Sequence, residues 1–256
     1  MSTETPQPAD AAARADIGIV HATSIELAAF LERCEKVKQY KGNGLVFRGG
    51  RYKHIRVACV QSGMGPALAA RGTRALLDGH SPAWVISAGF SGALKPDMRV
   101  GDIVVADSVM DQTNHTLSLD LKMPADPARG LHVGKLYMSD ALVRTVRDKQ
   151  LLADRTGAIA VDMESMTVAQ ICHDAKVRFV AVRVISDDMS HDLPEEIMTI
   201  VGSSGAVRIG AALGALWKRP SSATDMWRLR NQAQESASRL ATFLEGVITQ
   251  LHASDV

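Results

Sequence analysis

The chain has 256 residues, 46% hydrophobic and 22% charged, enough to build a full core in one large domain or two small ones. Its formal charge of +1 gives no basis for expecting nucleic acid or an anionic membrane as a partner. Three scattered cysteines, Cys34, Cys59 and Cys172, form no CxxC pair. That speaks against a disulfide framework or a zinc site, and for a reducing, cytoplasmic setting. No apolar run approaches the roughly 18 residues that a membrane span needs.

Residues 1–15 are polar and rich in Ala and Pro, without the apolar stretch of a signal peptide, and are expected to form a disordered leader. From residue 16 short apolar runs alternate with helical patterns. DIGIVHA (16–22) predicts a first strand and SIELAAFLERC (24–34) a helix. LVFRGG and YKHIRVACVQSG predict a hairpin, and PALAARGTRALLDG a helix with Gly79 as its C-terminal cap. AWVISAGF (83–90) is a continuous apolar run of the kind buried on both faces of a parallel sheet. VGDIVVADSVM is the next strand. Residues 111–134 are polar and aperiodic, and a stretch that long inside a compact domain is often functional.

GAIAVDM returns as a strand, followed by the helix SMTVAQICHDAK and the strand VRFVAVRVISDD (177–188). A helical region is expected over about 195–217, broken at KRPSS. In the last segment Met226, Leu229, Ala233, Ala237, Leu240, Leu244 and Ile248 share one helical stripe, which would pack on the core or on a partner subunit. The alternation predicts a single α/β domain over 16–218, with a central mixed, mostly parallel sheet flanked by helices, and a C-terminal helix over 219–256.

Three acids stand where strands end: Glu26 after the first, Glu164 after GAIAVDM and Asp187 after VRFVAVRVIS. In open α/β sheets ligands bind beyond the carboxyl ends of strands. A fourth strand end supplies Gly89, Phe90, Ser91 and Gly92, and glycine lets a ligand approach the backbone closely. Each acid also has a plain structural reading. Glu26 follows Thr23 as in a capping box, Glu164 can favour a helix N-terminus, and Asp187 can be a turn residue. Convergence of all of them on one cleft is what would signal chemistry. AGFSGAL lacks GxGxxG, and neither a P-loop nor GxSxG occurs, which disfavours dinucleotide, P-loop and serine-hydrolase readings. No cluster of His, Cys and Asp has metal-ligand spacing, and neither a metal nor a cofactor is expected.

AIAVDMESM, with Asp187 in VRVISD 23 positions after Glu164, resembles the purine nucleoside phosphorylase and nucleosidase superfamily, most nearly the methylthioadenosine/S-adenosylhomocysteine nucleosidases. IGIVHATSIEL, QSGMGPALAARGTRALL and VISAGFSGALKPDMRVGDIVVAD carry the same likeness, in order, over about 15–215. The resemblance implies that Asp187 hydrogen-bonds the purine and protonates it as it leaves, steadied by Ser186. It implies that Glu164 accepts hydrogen bonds from the ribose 2′ and 3′ hydroxyls while Met163 packs on the sugar. Glu26 would activate water, with Arg183 and the loop Gly89, Phe90 and Ser91 nearby. Val161 and Asp162 would belong to the substrate site, and Leu142 and Val143 to the base pocket. Carboxylates around the sugar suit this chemistry, because breaking an N-glycosidic bond develops positive charge there. One acid must carry a proton for the base while a second stays ionised to take one from water.

In phosphorylases of this superfamily, arginines in the first-strand loop and before the Gly-rich loop hold phosphate. VHATSIE and VISAG contain none, which favours water as the nucleophile. The chain departs from the nucleosidase pattern at Phe90, where a small residue is usual, at Leu142, where an aromatic is usual, and at Asp162, where glutamate is usual. These differences leave the 5′ substituent open. A phosphorylase and a non-catalytic nucleoside-binding protein are the alternatives. The resemblance and the last helix's apolar stripe both suggest a homodimer.

Overall fold

The computed structural model describes residues 14–42, 44–120, 123–195 and 221–254, and of these 221–230 by backbone alone. The elements, in chain order, are β1 (Ile17–His21), α1 (Ser24–Leu31), β2 (Glu35–Gly42), β3 (Leu45–Tyr52), β4 (Ile55–Gln61), α2 (Pro66–His80), β5 (Trp84–Ala93) and β6 (Ile103–Met110). They continue with β7 (Thr116–Ser118), a 3-10 turn (Pro127–Arg129), β8 (Leu131–Met138), α3 (Val146–Thr156), β9 (Ala160–Asp162), α4 (Ser165–Asp174), β10 (Arg178–Asp187) and α5 (Ser221–Ala253). All the described strands join one mixed sheet, in the order β10-β6-β8-β9-β5-β1-β4-β3-β2, with β7 added to β6.

β1 is buried at every position because both of its faces are covered. Ile17 and Ile19 point to one side, into a cluster with Leu27 and Phe30 of α1 and Leu240, Leu244 and Ile248 of α5. Val20 points to the other, with Ala69 and Leu76 of α2 and Val168 and Cys172 of α4. Alternation along a strand thus selects which helix layer each residue meets. Of the stripe on the last helix, Ala237, Leu240, Leu244 and Ile248 are buried within the chain, the last three in the cluster with β1 and α1.

The feature that positions the site is β5. Its first half pairs in parallel with β1, from Trp84 to Ser87. Its tip pairs antiparallel with β9, through Gly92 and Ala93. Along its length it also pairs in parallel with β10, which closes β5, β10, β6, β8 and β9 into a ring. Between the end of β1 and the start of β9 the backbone from Ala88 to Ser91 has no strand neighbour in those two ladders. A buried N–H there needs another acceptor.

Several boundaries differ from the sequence reading. The α2 helix ends with Ser81 in the left-handed region (φ 40°), one residue past His80, and Gly79 lies inside it. GAIAVDM is strand only from Ala160, since Gly157 (φ 66°) is the cap of α3, a helix the periodicity reading passed over. The stretch 111–134 holds β7, the 3-10 turn and the start of β8. β2 was passed over because every residue in it is exposed, so no apolar alternation marks it. The helical region expected over about 195–217 lies almost wholly outside the described residues.

Candidate active site

Glu26 lies in the first turn of α1, buried, where the β1 ladder ends. Its Oε2 accepts the Thr23 N–H at 2.6 Å, the backbone half of a capping box, and its Oε1 accepts the Phe90 N–H at 3.3 Å. The carboxylate therefore fills the gap that β1 and β9 leave beside β5. Gly89 makes this possible, since a Cβ there would stand 2.8 Å from Glu26 Oε1. Burial raises the proton affinity of Glu26, and the nearby Arg183 charge opposes that rise. Thr23 Oγ1 and Ser91 Oγ, next to Glu26's two backbone donors, are buried and make no hydrogen bond to the described residues.

Glu164 caps α4. Its Oε1 accepts the Gly65 N–H at 2.7 Å, so it also closes the N-terminus of α2, where the helix dipole favours an anion. Gly65 adopts φ 94°, which an L side chain would resist. The Glu164 carboxyl is pushed up to about 8, first by burial and then by the neighbouring Asp162 carboxylate, and Glu26 adds in the same direction. Glu26 and Glu164 are therefore close enough to feel each other's charge.

Asp187 ends β10, opposite Gly92 of β5. Ser186 Oγ donates to its Oδ1 at 2.7 Å and stands 3.3 Å from the Ser91 carbonyl. Its Oδ2 receives the Lys149 ammonium at 2.5 Å. A Cβ on Gly92 would sit 3.0 Å from that same Oδ2. The tip of β5 thus touches Glu26 at Gly89 and Asp187 at Gly92, three residues or about 10 Å apart along an extended chain. Asp187 and Ser186 also line a cavity of about 290 Å³ with Val100, Asp188, His191 and Leu193.

Asp162 and Arg183 do not reach that space as free groups. Both are buried in an ion pair, with Arg183 Nε to Asp162 Oδ2 at 2.8 Å and Nη2 at 2.5 Å. The remaining guanidinium donors go to the Ser87 carbonyl and hydroxyl and the Val182 carbonyl, and Ser165 donates to Asp162 Oδ1. The sequence reading gave both residues a place on the substrate. Their hydrogen bonds instead make them a brace between β9, β5 and β10. Val161 likewise packs in a cluster with Leu94, Tyr137, Leu152 and Ala158. Met163, between Asp162 and Glu164, is half-buried, as is Phe90. Leu142 and Val143 lie half-buried in the loop before α3, Val143 against the cluster that holds Val161.

Lys149, Gly65 and Ser87 were not singled out from sequence as site groups. Only Lys149 left a trace: it shares the buried face of α3 with Leu152 and Thr156, an odd place for a lysine.

A model of the phosphorylase superfamily matches residues 16–212. A 5′-methylthioadenosine/S-adenosylhomocysteine nucleosidase of Tolumonas auensis is 27% identical over 230 residues, covering 78% of this chain and 99% of that protein. A protein of the same name from Shewanella pealeana is also 27% identical, over 228 residues, with the same coverage. Among solved structures, the Helicobacter pylori nucleosidase of that name, crystallised with butyl-thio-DADMe-Immucillin-A, superimposes with a TM-score of 0.66 at 18% identity, over 93% of this chain and 99% of that one. The futalosine hydrolase of Helicobacter pylori gives 0.65 at 17% identity, over 96% and 100%. At such identities the structural likeness speaks to the fold.

Proposed function

Because the chain belongs to the phosphorylase superfamily, we propose that it is a nucleosidase. It hydrolyses the N-glycosidic bond of a 5′-substituted adenine nucleoside and releases the free base. The observation that supports this reading is the tip of β5, which Glu26 meets at Gly89 and Phe90 and Asp187 meets at Gly92, with Glu164 near enough to Glu26 for their charges to interact.

Each acid has a role that its surroundings support. Glu26 takes a proton from water: burial strengthens it as a base, and Thr23 Oγ1 and Ser91 Oγ are polar atoms that a water beside it would satisfy. Glu164 holds the ribose hydroxyls, with Oε1 fixed by Gly65 and Oε2 left to accept. The positive charge that grows on the sugar then meets the buried Glu26 carboxylate and the oxygens of Glu164. Asp187 protonates the departing purine, while Ser186 fixes its second oxygen. Arg183 is the cation beside Glu26, and its five N–H groups are committed to Asp162, Ser87 and Val182, which favours water over phosphate as the nucleophile.

The reading includes action in the cytoplasm, which the three free cysteines support, and a homodimer, which light scattering would test. Incubation with 5′-methylthioadenosine and other 5′-substituted adenosines tests the activity, with and without phosphate. Adenine release in phosphate-free buffer is expected. Turnover that requires phosphate and yields a sugar 1-phosphate would refute hydrolysis.

A further inference from the structure

Lys149 is fully buried in the first half of α3, yet it is a charged residue. An ammonium without water around it is costly unless it is paired and hydrogen-bonded. Here its donors are spent at one place. Nζ stands 2.5 Å from Asp187 Oδ2, 2.9 Å from the Asp188 carbonyl and 3.4 Å from the Asp187 carbonyl. All three acceptors belong to the short stretch where β10 becomes the following loop. Gly92 leaves the room: its missing Cβ would crowd Asp187 Oδ2 at 3.0 Å and stand 3.4 Å from the Lys149 Cε.

Other charges stand further off. Asp188 feels the charges of Lys149 and Arg99, but its carboxylate is turned to Ser190. Ser186 is a neutral donor to the opposite oxygen of Asp187. So Asp187 is gripped from two sides, by a hydroxyl at Oδ1 and by a buried cation at Oδ2. A buried ion pair is weak support for stability, since well-packed apolar residues would serve as well. Its placement on the acid points to another use.

We propose that Lys149 is a positioning residue for the acid Asp187. Its ammonium fixes the plane of the carboxyl group and stabilises the carboxylate that forms there as the proton passes to the leaving purine. The base gains the proton, the N-glycosidic electron pair goes to the base, and the negative charge left on Asp187 is met by a cation already in place. This inference rests on the reading of Asp187 as the acid. Lys149 acts through Asp187 and touches neither the sugar nor water.

The test compares full-length Lys149→Met, Lys149→Arg and Asp187→Asn with the wild type, following adenine release from 5′-methylthioadenosine. Lys149→Met is expected to lower kcat about 100-fold, at the lower end of what general acid catalysis supplies, while KM moves less than about threefold. Lys149→Arg, which restores the charge, is expected to recover at least about tenfold of that loss. A Lys149→Met enzyme within about threefold of the wild-type kcat, a loss that falls on KM, or no recovery with arginine would each overturn the role. Should Lys149→Met fail to fold, Lys149→Arg decides alone: kcat within about tenfold of wild type is expected, and a loss beyond about 100-fold overturns the role. The two readings separate cleanly. An active Asp187→Asn enzyme removes the acid itself, whereas an inactive Asp187→Asn beside an active Lys149→Met removes only the role of Lys149. No adenine release by the wild type would overturn both.

Discussion

Glu164→Gln separates the cost of burying this carboxylate from its use. The carboxyl is pushed from an ordinary 4.5 up to about 8 by burial and by Asp162. At roughly 1.4 kcal/mol per pH unit, that rise corresponds to at most about 5 kcal/mol of penalty on the ionised form. The side chain keeps some exposure, and screening by solvent leaves about 2 kcal/mol of it. The sign follows from linkage. A carboxyl whose folded value lies above its unfolded value holds its proton more tightly when folded, so stability falls as pH rises from 4.5 through about 8. Glutamine keeps the acceptor for the Gly65 N–H but cannot ionise. The two proteins should therefore melt at similar temperatures near pH 5. At pH 9 the variant should melt higher by about 4–8 °C, taking 2–4 °C per kcal/mol for a chain of this size. Differential scanning fluorimetry across that range is the assay. A difference in melting temperature that does not change with pH would refute the reasoning. The same variant should lose most of its activity, since with the amide oxygen held by the Gly65 N–H the diol would face an NH2 donor in place of an acceptor oxygen.

Asp187→Asn should lower kcat for adenine nucleosides by about 10²–10⁴-fold while leaving nucleoside binding measurable by calorimetry, because only the transferable proton is lost. Glu26→Gln should cost a similar factor in single-turnover hydrolysis, since an amide cannot take a proton from water. Gly89→Ala introduces a methyl group 2.8 Å from Glu26 Oε1 and should cost about 1–3 kcal/mol in a denaturant titration, with kcat falling as Glu26 is displaced. Asp162→Ala leaves the buried Arg183 without its counter-charge and should cost about 3–5 kcal/mol, seen as a lower denaturation midpoint; an unchanged midpoint would mean that the pair is not the brace described.

What could be read from sequence was local. Continuous apolar runs marked β1, β5 and β10, because strands covered on both faces admit little else. Acids placed directly after such runs marked Glu26, Glu164 and Asp187 as unusual. An apolar stripe marked α5. β2 stayed hidden because it buries nothing, and α3 because its buried face carries a lysine and a threonine as well as Leu152.

What only the tertiary structure decided is which distant groups meet. Gly65 caps Glu164 from 99 residues away, and Lys149 pairs with Asp187 across 38. Both depend on strand register and helix placement, which no local pattern encodes. Asp162 and Arg183 show the converse. Their types fit a binding site, but the register of β9 and β10 about β5 points them at each other, where mutual neutralisation is the condition for burial. Sequence sets what each residue can do, through its burial preference and charge. The fold sets what it does, because a charge taken from water must act on whatever the backbone has placed within about 3 Å of it.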